Sequence, residues 1–449
     1  MKDLAQSIRR VLAIAMLAVR AALRTKTVFV LFELLGVCVL LLPSVIKSDG
    51  TAEGSCQILL MYTIGFSFGL LCLSTLWASC ALFAAEIDGL RIQLSAVKPV
   101  RALEFWLGKW FALLFLNALL LAFVYTGVYA QLRWQAFKHR WQDEITLATR
   151  NVARPRLPPP AQEARETYEW LKQRGELPKD MSERAIIRTL TERAKDRYDV
   201  INPGETVQWD FALDRPLQTN ETLTVRIRFD TAYSARAEVT GLCRLTAGGQ
   251  SIEEPLNDFS LNEIVFDVPG EAFNRARPPT AFTLSFQHTG DPAQSSALML
   301  RFRQDVALLT RGGTFEANLL RSALIQWSVL SLLAAFGLTL SAGFSLPVAV
   351  FTATVLLMLV MVGNSVVKVI SQEDEDVWMN RPGIWISRGV SAMTQHAMRD
   401  GPLEAVTRRE RVEPNAVSTA LLWNTVLTPA LLALLGAHIL RNRELASGN

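Results

Sequence analysis

The side chains that most often do chemistry in proteins are scattered along this 449-residue chain. Its four histidines, at positions 139, 288, 396 and 438, have no spacing that suits metal ligands. The chain also lacks a G-x-x-x-x-G-K-S/T loop for nucleotide phosphates, an H-E-x-x-H motif and a G-x-S-x-G motif. The acidic run Glu373–Asp376 could attract a cation, but a solvated loop is the favoured interpretation. We therefore predict no catalytic residue and no metal site, and we expect the chain not to be an enzyme.

Ionisable and amide side chains inside apolar segments are functional candidates, because hydrocarbon solvates them poorly. Glu33 is the clearest such residue, and it is a weak candidate for binding a substrate. It also lies near enough to one end of its segment to reach lipid headgroups or to pair with an arginine. The amides in such segments are better explained as hydrogen-bond partners between helices, namely Asn117, Gln326, Asn364 and Asn424.

The five cysteines form no metal-binding pattern. Cys38, Cys72 and Cys80 fall inside apolar runs, where cysteine packs as a small hydrophobic side chain. Cys56 and Cys243 fall outside these runs, and the sequence leaves open whether they are oxidised. Their spacing is no disulfide framework, so a disulfide between the two is the less favoured alternative.

The segment 85–104, between two long apolar stretches, concentrates residues that could receive a mechanical signal. Within AAEIDGLRIQLSAVKPVRALEFWLGKW, residues 84–110, Glu86 and Asp88 are followed by the basic residues Arg91, Lys98 and Arg101. A short amphipathic segment held between two membrane spans can form a helix parallel to the membrane, which a partner can move as a rigid body. On composition alone, an ordinary basic loop that obeys the positive-inside bias is the favoured interpretation. If the segment does couple to a partner, the residues expected to take part are Glu86, Asp88, Gly89, Arg91, Lys98, Pro99, Arg101, Gly108 and Lys109.

This string resembles the cytoplasmic loop between spans two and three in the type-2 family of ABC transporter permeases. The family pattern is an acidic residue, Gly or Thr a few positions later, Leu-Leu-Ser, Lys/Pro-Val-x-Arg and finally Leu-Gly-Lys. The residues that match it here are Glu86, Asp88, Leu94–Ser95, Lys98–Arg101 and Leu107–Lys109. The opening of the chain resembles the family's amphipathic N-terminal helix, and ILRNREL near the end resembles its basic stop after span six. The likeness does not extend to residues 131–315, where most members have only a short loop.

The resemblance implies a permease subunit of an ATP-driven transporter, and export is favoured because the family mostly exports. It implies a homodimer, or a pseudo-dimer with a second permease, bound to cytoplasmic ABC ATPase subunits. ATP and magnesium would then be bound by the partner ATPase, with no cofactor on this chain. A formal net charge of +4 is too small to argue for a nucleic-acid partner. The alternative function is a membrane-anchored envelope binding or assembly protein that acts through its exterior β-domain.

The apolar residues predict the elements that hold this loop. Half of the residues are hydrophobic, and the mean hydropathy of +0.22 is high for a soluble globular protein. About 20 helical residues cross the ~30 Å hydrocarbon core of a bilayer. We predict six such spans, at Thr27–Ile46, Ile58–Ala84, Phe105–Ala130, Asn318–Ser341, Leu346–Ile370 and Ala416–Leu440.

Lysines and arginines predict the orientation of these spans. The segment before span one carries six basic residues and one acid, and segment 85–104 is also basic, so both are expected in the cytoplasm. Arg408, Arg409 and Arg411 would then lie outside, which argues against this orientation. Residues 4–24 alternate apolar residues and arginines at helical spacing, which favours a cytoplasmic amphipathic helix over a longer first span. We expect a multi-pass protein of a bacterial cytoplasmic (inner) membrane with both termini inside.

Residues 131–315 have a different pattern and are predicted to face outward. After the stiff linker RPRLPPP, residues 161–198 predict two solvated helices broken at Pro178. Apolar residues then alternate with polar ones, as in half-buried strands, in a region expected at 203–305. The alternating runs are Val207–Leu213, Leu223–Phe229, Ile264–Val268, Phe282–Phe286 and Leu298–Phe302. They predict a β-sandwich or jelly roll, which could bind a ligand or envelope partner or simply cap the exterior face.

The predicted fold class is an α-helical polytopic membrane protein with six transmembrane helices and an inserted extracytoplasmic α+β domain. In chain order we expect the amphipathic helix at 1–26, spans one to three at 27–130, the exterior domain at 131–315, spans four and five at 316–370, an exterior loop at 371–415, and span six with the cytoplasmic tail at 416–449.

Overall fold

The computed structural model of the chain describes residues 2–24, 26–46, 52–88, 101–140, 149–156, 160–175, 177, 183–195, 198–231, 237–273, 278–290, 295–301, 305–355, 357–358 and 401–446. These residues form two compact units. The membrane unit combines residues 1–149 and 313–449. The second unit comprises residues 150–312, and we call it the exterior unit after the location that the sequence predicts for it.

The membrane unit is helical. Its helices are α1 (Lys2–Arg24), α2 (Lys26–Val45), α3 (consecutive segments Ala52–Gln57, Ile58–Ile64 and Gly65–Asp88), α4 (Ala102–His139), α7 (Phe315–Gly343), α8 (Leu346–Val355), α9 (Pro402–Thr407) and α10 (consecutive segments Pro414–Leu421, Leu422–Leu427 and Thr428–Ala446). The segments Ile58–Ile64 and Leu422–Leu427 are π-helical. Helices α5 and α6 belong to the exterior unit.

Five of these helices are long and apolar enough to cross a membrane. They contain the stretches Val28–Val45, Gly54–Leu82, Ala102–His139, Phe315–Gly343 and Pro414–Asn442. The protein is therefore a multi-pass membrane protein, as composition predicted. Of the predicted fifth span, the structure describes the ten-residue helix α8 and residues 357–358, and residues 359–370 lie outside the described residues. The sixth crossing thus stays a prediction.

Helix α7 is the centre of the membrane unit, because it packs on α3, α4 and α10. Its small buried side chains let neighbouring helices approach closely, which is how membrane helices gain van der Waals contact. At Gly337, for example, an added Cβ would lie 2.9 Å from Ser79 Cβ and 3.2 Å from the Leu76 carbonyl oxygen.

Amide side chains join the helices, as the sequence predicted. Thr75 of α3 donates to Asn117 Oδ1 of α4 at 3.0 Å. The Tyr125 hydroxyl of α4 donates to Gln326 Oε1 of α7 at 3.0 Å. Asn424 of α10 donates to Ser328 Oγ of α7 at 3.2 Å. The fourth predicted amide, at position 364, lies outside the described residues.

The exterior unit contains eleven described strands, counting Thr149–Ala153, and two helices. The strands are β1 (Thr149–Ala153), β2 (Tyr198–Ile201), β3 (Thr206–Ala212), β4 (Thr222–Arg228), β5 (Asp230–Thr231), β6 (Glu238–Ala247), β7 (Gln250–Phe259), β8 (Glu263–Pro269), β9 (Ala281–His288), β10 (Leu298–Arg301) and β11 (Val306–Gly313). The helices are α5 (Pro160–Arg174) and α6 (Glu183–Lys195), which confirms the two predicted helices.

Two four-stranded sheets share one hydrophobic core. Their strand orders are β1-β11-β4-β8 and β3-β9-β6-β7, and a three-stranded sheet has the order β2-β10-β5. Buried residues of both larger sheets, such as Trp209, Val225 and Phe286, belong to the same cluster. This is the packing of a β-sandwich, in which alternate side chains of each sheet point inward. The five alternating runs that were predicted as strands correspond to β3, β4, β8, β9 and β10. Leu213 and Phe229 lie just beyond the strand ends, and residue 302 lies outside the described residues.

All five cysteines are buried free thiols. Cys243 faces the sandwich core from β6, and burial raises the pKa of its thiol to about 12, with the charge of Glu254 as a smaller cause. In this structure neither Cys243 nor Cys56 is part of a disulfide.

Candidate functional site: the base of the coupling loop

Helix α4 begins where the predicted coupling loop ends. The Arg101 backbone N–H, just before the helix, donates to Glu104 Oε2 at 3.2 Å. A carboxylate three residues into a helix satisfies an otherwise unpaired donor and interacts favourably with the positive end of the helix dipole. The sequence R-A-L-E therefore fixes the first residue after the loop to the first turn of a membrane helix, while the Arg101 side chain is exposed.

Glu104 also joins α4 to the N-terminal helix α1. Its side chain is buried, with 5% of the residue exposed. The Ser7 hydroxyl donates to Glu104 Oε1 at 2.5 Å, and Arg10 Nη1 lies 3.6 Å from Oε2. A buried carboxylate is tolerable only when it is paired and hydrogen-bonded, so these two α1 side chains hold α1 at a defined register on α4.

Gly108 lets α1 approach α4 closely one turn further on. A Cβ added at Gly108 would lie 2.6 Å from Ile14 Cγ2 and 3.1 Å from the Val11 carbonyl oxygen. Any larger residue would push the two helices apart. This contact explains why the Leu-Gly-Lys string has a glycine at position 108.

Lys109 joins α4 to α3, the helix on the other side of the loop. Its side chain is almost completely buried, with 2% of the residue exposed. The Nζ ammonium donates to the Leu82 carbonyl oxygen at 2.7 Å and lies 4.7 Å from the centre of the Phe105 ring. The charge-assisted hydrogen bond and the cation–π contact are what make a buried ammonium tolerable.

We call this arrangement the loop base, defined as Ser7, Arg10, the Leu82 carbonyl, Arg101, Glu104, Gly108 and Lys109. It connects α1, α3 and α4 at the two ends of the segment 89–100. Its polar groups are engaged in fixing helices to one another, and its one hydroxyl, that of Ser7, is used in the hydrogen bond to Glu104 that joins α1 to α4. Among the described residues, no group of three or more His, Cys, Asp and Glu could hold a metal ion. What the loop base can do is transmit a displacement from the loop to three helices together.

The structure brings together three of the residues singled out from sequence, namely Arg101, Gly108 and Lys109. Glu86 and Asp88 lie in the last turn of α3. Residues 89, 91, 98 and 99 lie outside the described residues. Glu33 is an exposed residue of α2 and takes no part in the loop base.

Sequence reasoning missed Ser7, Arg10 and Glu104. The Arg101–Glu104 spacing, with an acid in the first turn after a loop, is a helix-start signal that could have identified Glu104. Nothing local identifies Ser7 and Arg10, since their partner lies more than ninety residues further along the chain.

No protein-family model matches this chain, and no curated protein and no solved structure matches it either. The function therefore has to be argued from the geometry of the loop base and from the sequence.

Proposed function

We propose that this chain is the membrane-spanning permease subunit of an ATP-driven transporter of the ABC type-2 family, working as an exporter. The observation that carries the proposal is the loop base. Both helices that flank the loop are tied to each other by Lys109, and the N-terminal amphipathic helix is tied to the same point by Glu104. A loop that merely connected two spans would not need a buried ammonium and a buried carboxylate at its ends.

The mechanism follows from these ties. ATP and magnesium are bound by a separate cytoplasmic ATPase, and closure of the ATPase pair displaces the coupling loop. Because α1, α3 and α4 are fastened together at the loop base, they move as one body relative to the rest of the bundle. Helix α7 packs on both α3 and α4, so this displacement reaches the centre of the membrane unit. Two such permeases, identical or paired with a second kind, alternate between inward- and outward-facing states.

The proposal includes a complete membrane topology, with a sixth span and an orientation in addition to the five apolar helices described above. Six spans place both termini in the cytoplasm of a bacterium and the exterior unit outside the inner membrane. The segment 371–415 then lies outside as well. In this topology the β-sandwich is available to bind a partner in the envelope.

Purification from native membranes tests the proposal. We expect the chain to bring a stoichiometric ATPase subunit with it in mild detergent, and the complex to hydrolyse ATP. The double change Lys98→Glu and Arg101→Glu reverses the basic surface of the loop and should release the ATPase. The matched control Lys138→Glu reverses an exposed charge at the far end of α4 and should keep it. A wild-type chain that arrives without a nucleotide-binding partner contradicts the proposal.

A second function is favoured by a separate observation, the compactness of the exterior unit. Residues 150–312 have their own hydrophobic core and do not need the membrane unit to bury it. Such a domain could itself bind an envelope component while the helices only anchor it. Full function of the Lys98→Glu/Arg101→Glu chain in its native cell would favour this anchored binding or assembly protein over the permease.

A further inference from the structure

A groove of about 570 Å³ runs between α4 and α7. Its walls are almost entirely apolar, and three small residues, Ala118, Ala122 and Ala323, make room for it. Its lining also includes Tyr125, Tyr129, Glu316 and Trp327. Tyr125 lines the groove, and its hydroxyl is hydrogen-bonded to Ser322 and Gln326 of α7. The hydroxyl is thus already engaged within the protein, and the ring is the part of this side chain that can contact an apolar ligand.

One end of the groove is polar. Glu316, in the first turn of α7, accepts a hydrogen bond from the Tyr129 hydroxyl at 2.8 Å. Arg133 Nη2 lies 3.6 Å from the same carboxylate, and Arg133 Nε donates to the Tyr129 hydroxyl at 3.0 Å. The side chains of Arg133 and Glu316 are 46% and 49% exposed. The groove thus ends at the Glu316 carboxylate, and the Arg133 guanidinium lies beside that carboxylate; both side chains reach solvent.

The opposite end is closed by Trp327, whose indole N–H donates to the Leu114 carbonyl oxygen at 3.0 Å. The eleven residue-to-residue steps from Glu316 to Trp327 rise about 16 Å at 1.5 Å per residue. This matches half of the roughly 30 Å hydrocarbon core, that is, the depth of one leaflet. The groove therefore extends from the headgroup level to about the middle of the bilayer.

We propose that this groove is a binding site for a single phospholipid with a zwitterionic, amine-bearing headgroup. One acyl chain lies along the alanines down to Trp327. The phosphate binds the Arg133 guanidinium, whose planar fork suits phosphate oxygens, and the ammonium binds the Glu316 carboxylate. The pair of opposite charges at the mouth matches a zwitterionic headgroup. The headgroup of an anionic lipid has no ammonium to bind the Glu316 carboxylate, so its negative charge would be repelled by that carboxylate. The bound lipid is a retained component of the protein and does not depend on the proposed transport activity.

Lipid analysis of the purified full chain tests this site. The chain is reconstituted in vesicles of equal phosphatidylethanolamine and phosphatidylglycerol, extracted in mild detergent, and its bound lipids are counted by mass spectrometry. We expect one retained phosphatidylethanolamine per chain in the wild type. Ala122→Phe fills the groove and should remove it, and Ala323→Leu is a milder second variant in case the first does not fold. Leu119→Phe, at an exposed α4 position that does not line the groove, should retain it.

The headgroup is tested separately. Glu316→Gln keeps an acceptor for Tyr129 but removes the negative charge, so the groove should retain lipid and lose its preference for phosphatidylethanolamine. The site is overturned if folded groove variants retain as much lipid as Leu119→Phe, or if the wild type shows no preference. It is overturned equally if the wild type retains no lipid and cysteines at the groove rim cross-link two copies of the chain, because a second copy is then the occupant.

Discussion

Lys109 and Glu104 are buried charged residues near one end of the loop, and each holds α4 to a neighbouring helix. Each has lost most of its hydration, and each is held by partners on a different helix. A buried charge with its partners adds little to stability, because burying the charge costs free energy. It does favour one arrangement of the helices, because other arrangements would leave the charge buried without its partners. At the scale of single residues, the account therefore predicts effects on coupling that exceed the effects on folding.

The first prediction concerns Lys109→Met. Methionine fills a similar volume and removes the cost of burying an ammonium, while the Leu82 carbonyl loses a charge-assisted donor. We expect the free energy of unfolding to fall by only about 1 kcal/mol, and ATP hydrolysis by the assembled complex to fall severalfold. Lys138→Met, at an exposed position on the same helix, is the control. A Lys109→Met complex with wild-type hydrolysis would show that the tie between α3 and α4 has no role in coupling.

The second prediction concerns Gly108→Ala. The added methyl group meets Ile14 and the Val11 backbone, so α1 has to shift away from α4. Overpacking of this kind costs about 1–3 kcal/mol, measurable as a lower thermal midpoint. Gly69→Ala is the matched control, since a Cβ there meets nothing within 4 Å and alanine is the better helix former. If the two variants are equally stable, α1 does not pack on α4 as described.

At the scale of elements, the strands show what sequence patterns can and cannot predict. β3, β4, β8, β9 and β10 were predicted because their apolar residues alternate with other residues along each strand. In β4 the pattern of residue types alternates although Thr224 and Arg226, on the other face, are buried as well. The β6–β7 hairpin was missed because its inward positions include Gly241 and Cys243, which weaken the alternation. Its turn did carry a signal, the pair Gly248-Gly249, and both glycines adopt the positive φ that two-residue hairpin turns need.

The site was predictable to a different extent. Arg101, Gly108 and Lys109 could be found from the string that contains them, because that string resembles a known pattern. The attachment of α1 through Ser7 and Arg10 depends on a contact between distant parts of the chain, which neither helical period nor capping pattern contains.

The third prediction concerns the pH dependence of the sandwich. The pKa of Cys243 is raised to about 12 in the folded chain, against ~8.5 for an unperturbed thiol. The stabilisation is complete below about pH 8.5, and it is lost as pH rises through the folded pKa. In a chain whose other four cysteines are alanine, we expect the unfolding transition of the sandwich to move to lower denaturant as pH rises from 8 to 11. Further replacement of Cys243 by alanine should flatten this dependence, and an unchanged slope would contradict the role of the thiol.

The same single-cysteine chain gives a chemical control. Thiolate is the reactive form and Cys243 is buried, so maleimide should label it slowly until denaturant is added. Rapid labelling of the folded chain would show that β6 does not keep this side chain in the core.

At the scale of the whole molecule, the proposal requires the exterior unit and the chain's termini to lie on opposite sides of the membrane. The fourth prediction uses two exposed positions, Ser251 in β7 and Arg441 in α10. In intact cells, a membrane-impermeant maleimide should label Ser251→Cys, and it should label Arg441→Cys only after permeabilisation. Labelling of both positions, or the reverse pattern, would contradict the topology with six spans and cytoplasmic ends.

The most direct test of the central claim is to ask what touches the coupling loop in the native membrane. A photoreactive amino acid is placed at position 98, and a second chain carries it at position 138, the exposed far end of α4. The account predicts that position 98 cross-links to a nucleotide-binding protein and position 138 does not. Cross-links from position 98 only to lipid or to envelope proteins would contradict the claim that this chain is driven by an ATPase through its loop base.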